Sequence, residues 1–399
     1  MSQAIPIGLL PILSRIYSPE EFGSLALFIA IYSTLSVFVT GRYELSIMLP
    51  DDEKDALSIF QLASLLTLLI SILTALIIFY FSQDISVFFN NNDLKNWLYF
   101  IPLSIFIAGL YQSISYWLNR KKFFNKMAYM KIFNSTSISI FQLILGIFSK
   151  LNNSLIIGHF SGALFTTILF IKKIIFENKH DFLKIDFKRI KKNAIQYKRF
   201  PLISSISSLL DKSAVQMPIF FISKFFDQAS VGLFSLLTKF LDAPFAILNQ
   251  SINLVLFERV VDLSKNDPEK LRLLILRIFI SLLLISSPFI LITYFFGSEI
   301  FYFLLGPNWG EVGSYAFLLM IVVGYRFSIS PLSAVLSLNK TLHIGAIWQT
   351  VYFLSIFLTL YLFRNLSFYN FLLVFTLHEI ILYTIYLLMI FYSCDPKRF

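Results

Sequence analysis

The stretch ALSIFQLASLLTLLISILTALIIFYF, residues 56–81, contains 26 residues without a charged side chain. The hydrocarbon core of a bilayer is about 30 Å thick, so a helix needs roughly 20 mostly apolar residues to cross it. Polar and apolar residues do not alternate here as they would in a barrel strand. The stretch therefore predicts a transmembrane α-helix.

Eleven further apolar stretches share this character, and nearly all are long enough to cross a bilayer. Together the twelve predict an all-α, multi-pass membrane protein. The predicted spans are 1–14, 22–41, 56–81, 98–118, 131–149, 154–176, 201–223, 229–257, 271–297, 312–338, 342–362 and 371–392.

The composition agrees with this class: 57% of the residues are hydrophobic and 14% are charged, against roughly 25% charged in soluble domains. The net charge of +10 is spread over short loops, so we expect no nucleic-acid partner. The single cysteine, Cys394, excludes an intramolecular disulfide, and the four histidines lack metal-ligand spacing. We predict no cofactor.

The basic residues between the spans lie mainly in alternate gaps. Of the 33 Lys and Arg residues, 24 fall in the gaps and tail on one side, five on the other side and four within spans. Cytoplasmic loops carry the excess of basic residues. The bias predicts that both termini are cytoplasmic and that the protein lies in the bacterial inner membrane.

The longest polar stretch, residues 177–200, reads ENKHDFLKIDFKRIKKNAIQYKRF and has six predicted spans on either side. It predicts a basic cytoplasmic linker between two six-helix lobes, residues 1–176 and 201–399. Phe187, Ile190 and Ile195 lie among its lysines. Part of it could be an amphipathic helix on the anionic leaflet, or the whole could be a solvated basic loop.

The first span is short, because 14 residues of helix reach only about 21 Å. No basic region precedes it and no small-residue cleavage site follows, so a signal peptide is not indicated. We expect this segment to be the outer half of a longer helix whose start codon lies upstream.

Several motifs resemble one family. These are PILSRIYSPEEFG at 11–23, RYELSIMLP at 42–50, the run KRFPLISSISSLLDKSA from Lys198 and GPNWGEVGSYAF from Gly306. In them the chain resembles Wzx-type polysaccharide flippases, which transport O-antigen or capsule units and belong to the multidrug/oligosaccharidyl-lipid/polysaccharide exporter superfamily. The resemblance covers most of the chain and departs at the N-terminus, where relatives carry about half a helix more.

The resemblance implies a V-shaped pair of six-helix bundles that moves an undecaprenyl-pyrophosphate-linked oligosaccharide from the cytoplasmic to the periplasmic leaflet. It implies membrane lipids and a polysaccharide polymerase as partners, and no enzymatic activity. The first motif also has a local interpretation: Ser18 can cap a helix, Pro19 suits its first position, and Glu20 and Glu21 suit its positive end.

Ionisable side chains inside the spans are candidates for function, because each costs roughly 2.5–3.5 kcal/mol at a helix centre on insertion scales. The candidates are Asp211 and Lys212 in the seventh span, Lys239 and Asp242 in the eighth, Arg277 in the ninth, Arg326 in the tenth, His378 and Glu379 in the twelfth, and Arg42 just after the second.

Arg326 is the leading candidate. It lies about 14 residues into its span with no acid at helical spacing, so it needs a partner on another helix, such as Asp211 or Glu379, or an anionic ligand. Arg277 is close to a span end and could reach the interface by snorkelling. We interpret Arg277 as structural.

Two spans each contain a lysine and an aspartate close together in sequence, and each pair has more than one possible role. Lys239 and Asp242 are three residues apart and could neutralise each other, or could bind a ligand. Asp211 and Lys212 point about 100° apart, so at least one must face another helix or a cavity.

A pyrophosphate head group would need cations in a polar cavity. Arginine offers a planar fork for phosphate oxygens and lysine a point charge. We predict a substrate site that contains these cations and two acids: Arg42, Asp211, Lys212, Lys239, Arg326 and Glu379.

Two other classes of function were weighed. A cation or drug antiporter of the same superfamily would favour carboxylates over cations in its cavity. A membrane glycosyltransferase or polymerase would carry a large outer loop, whereas the longest outer gap here is 82–97. The absence of a G-x-x-x-x-G-K-[ST] run argues against direct use of ATP.

Overall fold

A computed structural model describes residues 4–91, 93–149, 153–177, 185–309, 312–338 and 342–394. Within these ranges there is no strand, and each of the twelve predicted spans contains an α-helix, which confirms the all-α fold. The α-helices are α1 (Ala4–Ile16), α2 (Pro19–Leu35), α3 (Glu53–Phe88), α4 (Leu94–Leu98), α5 (Ile101–Arg120), α6 (Phe124–Phe148), α7 (Ser154–Glu177), α8 (Phe187–Gln196), α9 (Ser205–Phe225), α10 (Gln228–Asn266), α11 (Pro268–Leu305), α12 (Val312–Ile329), α13 (Leu342–Leu362) and α14 (Phe368–Ser393).

Eight of the described helical segments are long and apolar enough to cross a bilayer. They are Glu53–Phe88, Leu94–Arg120, Phe124–Phe148, Ser154–Lys172, Gln228–Ser264, Glu269–Leu305, Val312–Leu336 and Phe368–Ser393. In the other four predicted spans, α1 and the Ile347–Leu362 part of α13 are apolar but shorter, α2 has 17 residues, and α9 includes Asp211, Lys212 and Lys224. The protein is a multi-pass membrane protein.

The start of α2 confirms the local interpretation of its motif. The backbone N–H of Glu21 donates to the Ser18 hydroxyl at 3.3 Å, and the Ser18 N–H donates to the Glu21 carboxylate at 3.0 Å. Pro19 occupies the first turn. Two of the free N–H groups at the helix start are thereby satisfied.

Two predicted spans end as α-helix earlier than expected. Helix α2 stops at Leu35 rather than at 41, and the chain then turns into a short 3-10 helix, Tyr43–Met48. Both Gly41 (φ 60°) and Arg42 (φ 59°) are left-handed there, a conformation that an α-helix cannot include. Helix α12 stops at Ile329 because Pro331 disfavours helical geometry at the preceding residue, and a 3-10 helix, Ser330–Ser337, follows.

Contacts divide the chain into two compact units, Met1–Gly232 and Leu233–Phe399. The predicted division lay at 177–200. In the first unit, α8 packs on α3, and α9 packs on α2, so residues 201–232 join the N-terminal unit. The lobe boundaries 1–176 and 201–399 stay a prediction. Residues 178–184 of the predicted linker and 395–399 of the C-terminal tail lie outside the described residues.

Within each unit, one pair of long helices packs closely. Helix α6 runs along α7 in the first unit, and α11 runs along α12 in the second. A Cβ atom at Gly162 of α7 would collide with the backbone of Ile138 on α6, and one at Gly313 of α12 would collide with Ser298 on α11. Small residues at such contacts allow helix backbones to approach within a membrane.

Candidate functional site

The second unit contains an ion pair between two of its spans. Arg326 lies on α12 and Glu379 on α14, and the Arg326 Nη2 and Nε atoms are 2.6 and 2.8 Å from Glu379 Oε2. The Glu379 side chain is 1% exposed, whereas that of Arg326 is 31% exposed. A buried carboxylate therefore holds an arginine that still reaches an open surface of this unit.

A tyrosine from a third helix closes the ring of contacts. Tyr352 lies on α13, and its hydroxyl accepts from Arg326 Nη2 at 2.7 Å and donates to Glu379 Oε1 at 3.0 Å. The Nε edge of the guanidinium and its Nη2 group are thus both occupied. Nη1 has no hydrogen-bond partner among the described residues, and it is not one of the buried unsatisfied atoms. This group remains available to an anion.

A histidine extends the network away from Arg326. His378 Nδ1 lies 3.3 Å from Glu379 Oε1, and His378 Nε2 lies 3.2 Å from the Ser355 hydroxyl. A carboxylate can only accept hydrogen bonds, so a proton belongs on Nδ1. The Ser355 hydroxyl donates its one proton to the Tyr352 backbone carbonyl at 3.0 Å, so this contact links His378 to α13 without a proton from Ser355 on Nε2. The Glu379 carboxylate has donors from three side chains, as a buried charge requires.

Aromatic side chains surround this network. The Tyr383 ring centroid lies 5.5 Å from Arg326 Cζ, in cation–π range. The Trp348 ring stacks on Tyr386 with 4.2 Å between centroids and an interplanar angle of 17°, and it lies 5.6 Å from the Tyr352 ring. The aromatic shell restricts the rotamers of Tyr352 and Tyr383.

The structure shows the inter-helix partner of Arg326. Sequence reasoning required an inter-helix partner or an anionic ligand, and Glu379 is the inter-helix partner. Glu379 and Tyr352 occupy the Nε and Nη2 groups of the Arg326 guanidinium. A role for Arg326 in binding substrate stays a prediction, in which the Nη1 group donates hydrogen bonds to the substrate.

Sequence reasoning missed Tyr352, Ser355 and Tyr383 as parts of this network. Tyrosines are numerous here, 19 in all, and no pattern separates those that face an ion pair from those that face lipid. His378 was named as an ionisable residue of the twelfth span, but it was not included in the predicted substrate site.

Lys239 and Asp242 on α10 do not form the ion pair that was one alternative for them. Among the described residues no ion pair joins them, and both side chains are exposed. The Asp242 carboxylate interacts electrostatically with Arg326 instead. Lys239 has no ion-pair partner among the described residues of the second unit.

The remaining candidates belong to the first unit. The Glu44 carboxylate is 1% exposed, accepts a hydrogen bond from Thr40 and lies 3.5 Å from Arg42 Nη1. On α9, Asp211 is exposed and Lys212 is half-buried. Arg42, Asp211 and Lys212 thus lie in one compact unit, whereas Lys239, Arg326 and Glu379 lie in the other.

Arg277 is exposed on α11, as the snorkelling interpretation expects. Within the described ranges, no group of three or more His, Cys, Asp and Glu side chains could hold a metal ion.

The fold is similar to those of solved membrane transporters. A multidrug resistance MATE family transporter of the MOP superfamily, in an inward-facing conformation, is 12% identical, with 97% of this chain and 93% of that chain covered and a TM-score of 0.78. The lipid II flippase MurJ, in an inward closed conformation, is 15% identical, with coverage of 97% and 85% and a TM-score of 0.74. An outward-facing MATE family transporter is 11% identical, with coverage of 99% and 93% and a TM-score of 0.64.

At these identities the likeness concerns the fold, which is that of the MOP superfamily transporters. A search of curated proteins finds no match by sequence. The family described as "Polysaccharide biosynthesis protein" matches residues 12–314, which agrees with the resemblance seen in the sequence motifs. Because the match spans most of the chain, the protein belongs to this family of polysaccharide biosynthesis proteins.

Proposed function

We propose that the protein is a flippase that carries an undecaprenyl-pyrophosphate-linked oligosaccharide from the cytoplasmic to the periplasmic leaflet of the bacterial inner membrane. The observation that carries this proposal is a polysaccharide biosynthesis family match on a chain with a transporter fold. A protein of that family with that fold contributes to polysaccharide synthesis by moving an intermediate. On this proposal it is not an enzyme, both termini are cytoplasmic, and the polymerase that uses the flipped unit is a partner.

Charged side chains in each of the two units support an anionic substrate. The buried acids Glu44 and Glu379 each have an arginine beside them. Lys239 has no ion-pair partner among the described residues, and Arg326 keeps Nη1 free of described partners. An antiporter for organic cations would need carboxylates without such partners, and Asp211 and Asp242 are exposed. The family match, rather than the charges alone, therefore favours the flippase over the antiporter.

The membrane potential could supply the driving force. At roughly 2.3 kcal/mol per charge per 100 mV, two phosphate charges that move outward across about 150 mV gain about 7 kcal/mol. The sequence shows no P-loop run through which ATP could be used directly.

Reconstitution of the full chain in liposomes tests the proposal. The substrate is an undecaprenyl-pyrophosphate oligosaccharide, and the readout is how fast its glycan becomes accessible to an external, membrane-impermeant lectin. We expect faster exposure than in protein-free liposomes, slower exposure with Lys239→Ala, and an unchanged rate with Arg277→Ala. Cationic dye accumulation driven by an ion gradient, with no glycan exposure, would replace the flippase with the antiporter.

A further inference from the structure

Helix α8, within the predicted linker, contacts the rest of the first unit through one of its faces. Asn193 is 1% exposed, and its side-chain amide donates to the Ser58 hydroxyl at 2.6 Å. The Arg189 guanidinium lies 2.9 Å from Asp52 Oδ2. The Tyr43 hydroxyl donates to the backbone carbonyl of Ala194 at 2.8 Å.

These contacts place α8 at one end of a membrane span. Asp52 and Ser58 belong to the start of α3, and Ile190 joins a buried cluster with Tyr43 and Met130. The cluster sits where α3 begins, so α8 lies level with the end of the bundle. Because the predicted span begins at Ala56, we expect a surface at this end of α3 to lie near the lipid head groups.

The opposite side of α8 combines apolar and basic side chains. Phe187 is 70% exposed and Ile195 is 58% exposed, and Lys188 and Lys191 are exposed beside them. At about 100° per residue, these four side chains fall within an arc of about 100°, and Asn193 lies on the far side of the helix.

The chain after α8 also exposes apolar side chains. Leu202 is 63% exposed and Ile203 is 62% exposed, just before α9 begins. Large apolar side chains in such numbers are unfavourable in water, but they are well placed in the boundary between head groups and acyl chains. Lysines beside them can extend their amines to phosphates.

We propose that the outer face of α8, formed by Phe187, Lys188, Lys191 and Ile195, binds the anionic phospholipids of the cytoplasmic leaflet. The lysines supply charge complementary to the head groups, and the two apolar side chains insert beside the acyl chains. The helix is therefore held between protein on one side and membrane on the other. This proposal is independent of which substrate the protein transports.

The test places a fluorophore at the outer face. Cys394→Ser removes the lone cysteine, and Ile195→Cys supplies the labelling site for a fluorophore. The labelled full chain is compared in nanodiscs of phosphatidylcholine alone and of phosphatidylcholine mixed with phosphatidylglycerol. We expect shallow spin-labelled lipids to quench the fluorophore more, and aqueous iodide to quench it less, in the anionic discs.

A matched pair of variants assigns the effect to this face. Lys188→Gln with Lys191→Gln should abolish the dependence on phosphatidylglycerol. Lys54→Gln with Lys270→Gln removes the same charge from exposed positions elsewhere and should leave that dependence intact. Strong iodide quenching in both kinds of disc, without lipid quenching, would overturn the proposal and indicate a water-facing surface.

Discussion

At the scale of single residues, the most informative arrangement is the Arg326–Glu379 pair. The two charges lie on different helices and are separated by 53 positions in sequence. Arginine alone offers enough donors to hold Glu379, contact Tyr352 and still present Nη1 to an anion. A lysine offers one amine, so we expect Arg326→Lys to be only partly active.

Arg326→Ala should both destabilise the protein and stop transport. Removal of one member of a buried pair leaves an uncompensated charge and costs about 3–5 kcal/mol. Adding Glu379→Gln removes that charge, so thermal stability should recover, whereas lectin-detected flipping should not if Nη1 contacts substrate. Recovery of both stability and flipping in the double variant would show that Arg326 is structural. Arg277→Ala serves as the control for loss of an exposed arginine.

Asp52, which pairs with Arg189 of α8 as Asp55 does, is a residue through which we expect pH to act on α8. The Lys54 backbone N–H and the Arg189 guanidinium hold the pKa of the Asp52 carboxyl below its usual value. A carboxyl with a lowered folded-state pKa stabilises the folded state fully above its unfolded pKa, about 3.9, and loses this contribution as the pH falls through its folded pKa.

We therefore expect α8 to loosen below about pH 4. Amide hydrogen exchange of residues 187–196, corrected for intrinsic rates, should lose protection there. Asp52→Asn should reduce protection at neutral pH, whereas Asp51→Asn, an exposed neighbour, should not. Equal protection of the native protein at pH 3 and pH 6 would exclude this role of Asp52.

At the scale of elements, the close approach of α6 and α7 depends on glycine. A Cβ at Gly162 has no room against the α6 backbone, whereas one at Gly8 in α1 meets nothing within 4 Å. Gly162→Ala should therefore destabilise by about 1–3 kcal/mol through overpacking. Gly8→Ala should be neutral or slightly stabilising. Thermal unfolding of both variants in detergent measures the difference. Equal unfolding midpoints would show that α6 can move enough to admit the added methyl group.

Some elements follow from local chemistry and others do not. The start of α2 was predictable because Ser18, Pro19 and Glu21 act within one turn. The ends of α2 and α12 were not predicted, since apolar length continues past Leu35 and past Ile329 while the backbone leaves the α-helix. Hydropathy indicates whether a segment is suited to lipid or to a protein core, but it does not indicate the backbone conformation of that segment.

At the scale of the whole molecule, the predicted topology places residues 177–200 in the cytoplasm. In a Cys394→Ser background, a cysteine at Lys188 or Lys191 should react with a membrane-impermeant thiol reagent only after spheroplasts are permeabilised. Both positions are exposed on α8, so access within the protein does not limit the reaction. Labelling in intact spheroplasts would contradict cytoplasmic termini as well, because an even number of predicted spans separates each terminus from this segment.

The sequence by itself determined the all-α membrane fold and the family, because span length, hydropathy and short motifs are local properties of the chain. It also identified Arg326 and Glu379 as costly charges inside spans. Only the tertiary structure decided that the two form a pair and that Tyr352 donates to one and accepts from the other. It also decided that Lys239 and Asp242 remain apart, and that residues 201–232 pack with the first unit. Such pairings depend on which faces of distant helices meet, and helical periodicity within one span carries no information about its neighbours.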